Sequence, residues 1–593
     1  MTKDFFHRSL AMRFTADWCG YCPIMATTIE MAKAAMPDKI EAVSMHGSGG
    51  LGFSSVSAFE TRFDIDAYPS LIMDSRALVQ NYESSYAKEL IGKVINETED
   101  AYPAKTGIAF TSSLEGSQLD VDVSLFVKEA GDYKVTVLLL EDEIIGYQSG
   151  QGDAYEHNDV VRLALSDVAG DPVSVDADNT VMTMSFTGTV PAVCNLSNLR
   201  VLVYVEKPYG SQSVVKGVRD AVYGSYGDTY VDNCRSEKVG VEALLQYADD
   251  PDLGKLYESS DFSEDGKVVT LQTATVGNGI DVVLMGDAFS DRLIADGTYD
   301  DMMNVIYSNF FKVEPYKTYK NMFNVYYVKV VSKNDVYGGE TALEGEFGEG
   351  THVGGNNQTC FEYALKAITE ERMDDAMIIV AMNSDAYAGT CYMYYPSSDS
   401  GTYGSGTSVS YFPRGGNEET FAQLLHHEAN GHGFSKLADE YAYEDMGAVP
   451  AQEVTDTKTQ QTNIGWWKNV DFTSDVSAVR WSYFINDTRY TNEHLGCYEG
   501  GMTYWTGVWR PTENSIMRHN TGGFNAPSRE AIYYRIHKLA YGSSWEYDYE
   551  KFVEYDAVNR SAATAARSRQ TNYVEQPFVP TAPPVVMKKS WRD

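Results

Sequence analysis

Between Gly107 and about Pro208 apolar and polar positions alternate. Leu119, Val121, Val123 and Leu125 interleave with Asp120, Asp122 and Ser124, and the pattern returns in 133–140, 181–187 and 199–205. A strand presents successive side chains to opposite faces, so these runs predict half-buried strands; separated by Gly, Asp and Ser turns and without a helical period, they predict an all-β sandwich. Upstream the pattern is different. Met12 and Phe14 mark a strand, Met25, Ile29 and Met36 recur at helical spacing after Pro23, and 41–45 and 70–73 are again apolar runs, which together predict one small α/β unit. Downstream, buried-strand runs at 280–285, 322–331 and 376–382 alternate with helical patterns at 299–311 and 360–368, predicting a sheet with helices packed on it.

These changes of period divide the chain into 1–105 (α/β), 106–210 (β-sandwich), a polar and acidic linker 211–255, a large α/β domain 256–545 and a Pro-rich tail 546–593. The length of 593 residues accommodates such a division, and 43% hydrophobic with 22% charged residues describes a chain that folds. A net charge of −37 sets up a field that repels phosphate backbones and anionic headgroups, so no nucleic-acid partner is expected. No run approaches the length of a spanning helix, and Met1 to Leu10 lacks the apolar core of a secretory signal. The first strand is read almost at Met1, so any leader is expected upstream of Met1.

The chemistry concentrates between Phe421 and Tyr441. Asn417 followed by Glu418 and Glu419 is a helix start, with a side-chain acceptor for free amides and negative charge at the positive end of the dipole. The helix carries His427, Glu428 and His432. In a zinc peptidase helix two histidines four apart share a face, and the glutamate between them activates water. Here His427 and His432 are five apart, which in a regular α-helix separates them by roughly 140°. Three outcomes follow: a π-type wide turn near Ala429, Asn430 and Gly431 that returns both histidines to one face, a site using Glu428 and His432 instead, or no metal site. Positions six and nine after His432 are Ala438 and Tyr441, so the third ligand falls to a carboxylate, Asp439 in preference to Glu440. The other reading of these two acids is that they orient the turn. His494 and His519 are outside candidates, and His426 is unassigned.

The stretch from His427-Glu428 through His432-Gly-Phe-Ser-Lys-Leu-Ala-Asp-Glu-Tyr441 resembles the IgA-peptidase family of zinc metallopeptidases. So do Gly286-Asp-Ala-Phe-Ser-Asp291, Asn383 and Trp509-Arg-Pro-Thr-Glu-Asn-Ser-Ile-Met-Arg518, the resemblance covering about 256–545. It implies a zincin fold binding Zn2+, Glu428 as general base and Met517 beneath the metal. The family motif as known is shorter by one residue between the histidines. Tyr441 or another tyrosine is available to polarise a substrate carbonyl. The implied activity is hydrolysis of peptide bonds in a protein or peptide substrate.

Near the amino terminus Asp17-Trp-Cys-Gly-Tyr-Cys-Pro23 follows a strand and opens a helix, where free amides and the dipole stabilise a thiolate on Cys19 that Cys22 can resolve. This stretch, with Tyr68-Pro69 before the strand at 70–73, resembles the thioredoxin active site and its cis-proline over about residues 10–104. Among the other cysteines, Cys360 and Cys391 are a possible pair in an oxidising compartment. The sequence therefore predicts an extracytoplasmic three-part protein: thioredoxin-like domain, β-sandwich and zinc endopeptidase. Its alternatives are a thiol-disulfide oxidoreductase with an inactive peptidase domain, or a non-catalytic binding protein.

Overall fold

The computed structural model describes residues 3–79, 84–149, 151–209, 221–223, 229–348, 350–397, 402–414, 417–560 and 580–593. The chain is multidomain, with mixed and antiparallel sheets and packed helices, and divides into two compact units, 1–256 and 257–593. Among the described residues no helix is long and apolar enough to cross a membrane.

In the first unit a ten-stranded sheet runs in the order 221–223, 77–79, 70–73, 9–15, 40–46, 160–164, 131–141, 199–208, 229–238, with 171–175 added beside 131–141. Strands Ser9–Thr15 and Ile40–His46 are parallel, and Ser70–Met73 joins antiparallel. Alternation assigns the faces. Ala11, Ala42 and Leu71 pack with Met25, Ile29, Val94 and Ile95, so helices Cys22–Ala35 and Ser84–Ala101 cover one side. Met12, Phe14, Val43 and Met45 share the opposite core with Phe59 and Phe63 of helix Val56–Phe63. The β-rich part continues this sheet, Val160 pairing with Ser44. Against it packs a three-stranded sheet of 106–115, 118–127 and 180–189, whose Leu119, Val121, Val123 and Leu125 meet Val135, Val137, Leu139, Val201 and Val203.

Part of the segment read as a linker is structured. Thr229–Lys238 is a strand paired with Leu199–Pro208, whereas 211–220 and 224–228 of that segment lie outside the described residues. Its polar residues are buried because they have partners: Asp232 accepts from the Thr106 hydroxyl at 2.6 Å and its amide at 2.8 Å, and Asn233 donates to the Thr106 carbonyl at 2.8 Å.

The second unit is built on a seven-stranded sheet ordered 268–272, 323–328, 280–287, 377–382, 408–413, 390–393, 585–586. The four strands 323–328, 280–287, 377–382 and 408–413 are parallel. Strand Thr390–Met393 runs antiparallel to them, and Val585–Val586 adds to it. Parallel strands covered on both faces need near-continuous apolar runs, which 280–285 and 377–382 supply. Helix Glu418–Leu425 and its continuation pack on this sheet through Phe421, Leu424, Leu425, Ala429 and Phe434 against Val282, Leu284, Ile379 and Phe412. Of the tail, Tyr549–Tyr555 is helical and 580–593 is described, while 561–579 lie outside the described residues. Cys360 and Cys391 are free thiols with separate neighbours, Tyr411 and Ser410.

Candidate metal centre

Asn417 caps the helix, its side chain accepting from the Thr420 amide at 2.9 Å. From His426 to Phe434 the α-helix gives way to a π-helix. A wide turn is unfavourable in isolation, because it loosens packing along the axis, and it persists where its carbonyls find partners. The Asn430 carbonyl takes the Tyr316 hydroxyl at 2.6 Å, the Ser435 hydroxyl at 2.7 Å and the Ser435 amide at 3.3 Å. On the sheet side Ser410 donates to the Glu428 carbonyl at 3.1 Å and Ser408 to the Gly433 carbonyl at 2.9 Å. Gly431 is needed for space, since a Cβ there would sit 2.3 Å from the Met517 sulfur.

With one residue absorbed, His427 and His432 share a face. Their Nε2 atoms are 3.1 Å apart, and Asp439 Oδ1 lies 3.0 Å from the first and 3.1 Å from the second. All three side chains are buried. Each imidazole is oriented through its other nitrogen: Nδ1 of His427 donates to the Ile516 carbonyl at 3.0 Å, and Nδ1 of His432 to the Leu437 carbonyl at 2.7 Å. A carbonyl only accepts, so both Nδ1 atoms carry hydrogen and both Nε2 lone pairs point at the carboxylate oxygen.

Three electron-rich atoms meeting at this distance repel one another unless a proton or a cation lies between them. Burial acts to lower the His427 imidazole, but the Asp439 hydrogen bond and the Glu428 charge lift it to about 9. Burial acts to raise Asp439, and the two histidines hold it below its ordinary value. Zinc ligands at about 2.0–2.1 Å and tetrahedral angles would be about 3.3 Å apart, close to the observed triangle. The donor set, its burial and its backbone-tied imidazoles therefore fit a zinc ion. Among the described residues no other group of His, Cys, Asp or Glu converges in this way.

The neighbouring acids serve differently. Glu440 turns away from the triangle and accepts from Ser515 Oγ at 2.7 Å, Asn469 Nδ2 at 2.9 Å and Asn525 Nδ2 at 2.9 Å. Burial raises its carboxyl. Its amide donates to the Met517 carbonyl at 2.8 Å, tying the strip after Asp439 to the short helix 516–519 that carries Met517 and the Ile516 acceptor. Glu428 is fully buried, its carboxylate lies beside the Thr581 side chain without a well-formed hydrogen bond among the described residues, and burial raises its carboxyl. Gly389 makes room for it, since a Cβ there would lie 2.8 Å from Glu428 Cγ and Oε1. Tyr441 is buried, its hydroxyl donating to the Thr581 carbonyl at 2.8 Å.

The remaining histidines stand outside this group. His426 faces the Asn309 carbonyl at 2.9 Å, His494 is exposed, and His519 closes the short helix. Asp287 and Asn383 anchor loops at strand ends, the first accepting from the Leu343 and Gly345 amides and the second donating to the Ala288 carbonyl. Sequence reasoning missed Gly389 and Thr581, which no local spacing marks.

In the first unit Cys19 and Cys22 form a disulfide at the start of helix Cys22–Ala35, with Cys19 only 5% exposed. Tyr68 stacks on Trp18, and the Tyr68–Pro69 bond is cis.

Residues 56–225 match the family described as Omp28, outer membrane protein. The match lies within the first unit, spans well under half of the chain and supports an extracytoplasmic location. Among solved structures, HBP35 of Porphyromonas gingivalis is similar at 18% identity over 46% of this chain and 87% of that one, with a TM-score of 0.34. No curated protein matches the chain.

Proposed function

We propose that the second unit is a zincin-type, zinc-dependent endopeptidase acting on protein or peptide substrates outside the cytoplasm, in association with the outer membrane. The observation that carries this reading is the triangle of His427 Nε2, His432 Nε2 and Asp439 Oδ1, each side 3.0–3.1 Å, beside the fully buried Glu428 carboxylate. His427, His432 and Asp439 would hold the ion. When bound, zinc supplies Lewis acidity that polarises water and a peptide carbonyl. Glu428, raised by burial and next to the ligands, accepts the proton of the attacking water and returns it to the departing amine. The Tyr441 hydroxyl, which already donates to a peptide carbonyl, is placed to donate to the carbonyl under attack. Ile516 and Leu437 keep the imidazoles in register through their carbonyls.

The test is metal content beside peptide cleavage. The parent chain is expected to carry about one zinc and to cleave peptides. His432→Ala loses both, and Glu428→Gln keeps the metal and loses cleavage. A Glu428→Gln variant with full proteolysis overturns the assignment. A second activity, thiol-disulfide exchange in the first unit, is favoured by the Cys19–Cys22 disulfide at a helix start and is tested by redox titration of that pair.

A further inference from the structure

Strand Thr390–Met393 begins immediately after Gly389, the residue that abuts Glu428, so the outer edge of this strand leads away from the proposed centre. That edge is filled by the chain's own C-terminal segment. The Pro580 carbonyl accepts from Thr351 Oγ1 at 3.0 Å, and the next carbonyl, Thr581, takes the Tyr441 hydroxyl at 2.8 Å. The Thr581 side chain is fully buried beside Glu428. Val585 and Val586 then pair in parallel with Tyr392 and Met393, the Met587 amide donates to the Met393 carbonyl at 2.9 Å, and the Tyr395 amide to the Lys589 carbonyl at 2.9 Å.

Beyond the strand the segment is anchored by side chains. Trp591, 8% exposed, packs tilted against Phe361 with ring centroids 5.7 Å apart and donates to Asp374 at 2.6 Å. Arg592 pairs with Glu370 at 3.0 Å, and Lys588 lies 3.6 Å from Asp456. These are the marks of strand addition: main-chain hydrogen bonds to a sheet edge, an apolar side chain packed against a core cluster, and charge complementarity at the rim. Val586 is that apolar residue, packing at the cluster of Met393, Trp466 and Val508.

We propose that the edge of strand Thr390–Met393 is the peptide-binding cleft of the proposed peptidase, and that residues 580–592 are its resident occupant, holding the chain self-inhibited. This rests on the peptidase reading of His427, His432 and Asp439. The cleft selects extended peptides with an aliphatic residue followed by basic ones, as in Val585-Val-Met-Lys-Lys589. The segment displays a carbonyl to Tyr441 and a threonine side chain to Glu428, the places that an incoming peptide would take.

The test uses the full chain and a full-length Trp591→Ala/Arg592→Glu variant, whose own segment is weakened while Phe361, Asp374 and Glu370 stay intact. The probe is a fluorescein-labelled synthetic peptide of residues 580–593, followed by anisotropy. A tethered segment acts at an effective concentration on the order of 1 mM, so for a peptide of about 10 μM affinity the parent should bind roughly 100-fold more weakly than the variant. Cleavage of a quenched peptide should rise in parallel, and a chromophoric chelator should strip zinc faster from the variant. If parent and variant bind the probe alike, or neither binds it, the proposal is overturned, even where both cleave peptides and the peptidase reading stands. If the variant alone binds it and neither chain cleaves, the cleft assignment holds and the peptidase reading fails. Should the variant not melt cooperatively, a chain ending at residue 579 replaces it under the same criteria.

Discussion

Asp439→Asn and Glu440→Gln separate two carboxylates that adjoin in sequence but act on different properties. Glu440 receives Ser515, Asn469 and Asn525, joining three chain segments in a site closed to water. An amide in its place keeps one acceptor and turns a second donor toward these donors, which at about 1–3 kcal/mol for a buried polar group left unpaired predicts a loss of roughly 3 kcal/mol. Glu440→Ala strands all of the donors and should lose about 3–5 kcal/mol. For a unit of residues 257–593, an unfolding entropy near 2.1 cal/mol/K per residue converts 3 kcal/mol into about 4 °C of Tm. Tryptophan fluorescence isolates this unit, since only Trp18 lies in the first. Zinc affinity, measured by competition with a chelator, should fall only about 10–100-fold in Glu440→Gln, the range of a supporting residue, and by more than that in Asp439→Asn. The reverse pattern, with Glu440→Gln metal-free at an unchanged Tm and Asp439→Asn still binding, would refute the division of labour drawn from the geometry.

Three further outcomes are expected. Gly431→Ala forces a Cβ to within 2.3 Å of the Met517 sulfur and should destabilise the second unit by about 1–3 kcal/mol; combined with Met517→Ala the loss should be less than the sum of the two, as a double-mutant cycle of Tm values would show. Gly389→Ala presses on Glu428 at 2.8 Å and should leave zinc content unchanged while lowering kcat for peptide cleavage by roughly 100-fold, the scale of a 1 Å misplacement. In the first unit His7 and His46 are buried with no hydrogen-bond partner for either ring nitrogen among the described residues, and burial lowers them to about 4 and about 2. The unfolded chain then binds more protons below about pH 6.5, so their contribution is present above that pH and is lost as pH falls toward those values. Each should cost about 2 kcal/mol by pH 5, and His46→Phe should flatten the fall of the first unit's Tm with acid.

What the sequence made legible is local. Leu119, Val121, Val123 and Leu125 are buried on one face of strand Gln118–Val127 as their alternation predicts, and Asn417 caps the helix it was read to start. Strand Gly131–Glu141 is buried on both faces, because Val135, Val137 and Leu139 face one core and Leu138 and Leu140 the other. Its apolar run 137–140 shows this, whereas the continuity that causes it, Val160 beside Ser44, links residues more than a hundred positions apart and leaves no local trace. The strand at 229–238 was hidden for a different reason. Asp232 and Asn233 read as linker by composition, yet their side chains are consumed by Thr106 and its neighbours, so polarity reports there on hydrogen bonding and not on exposure.

The histidine spacing joins the two kinds of information. A separation of five positions between His427 and His432 is irregular only against a helix of 3.6 residues per turn, and Gly431 marks in sequence where the turn can widen. What supports the widening is distant: Tyr316 from a preceding segment and Ser408 and Ser410 from the sheet donate their hydroxyls to carbonyls of the wide turn. In this helix Glu428 abuts Gly389, at the head of the edge strand that residues 585–586 extend. One added residue in the motif thus changes which backbone groups need partners as well as which face the histidines share. A chain with Ala429 deleted would recover the four-residue spacing while shifting the Glu428, Asn430 and Gly433 carbonyls out of register with Ser410, Tyr316 and Ser408. It should therefore bind zinc no better than the parent, and a melt of the second unit should show the lost hydrogen bonds.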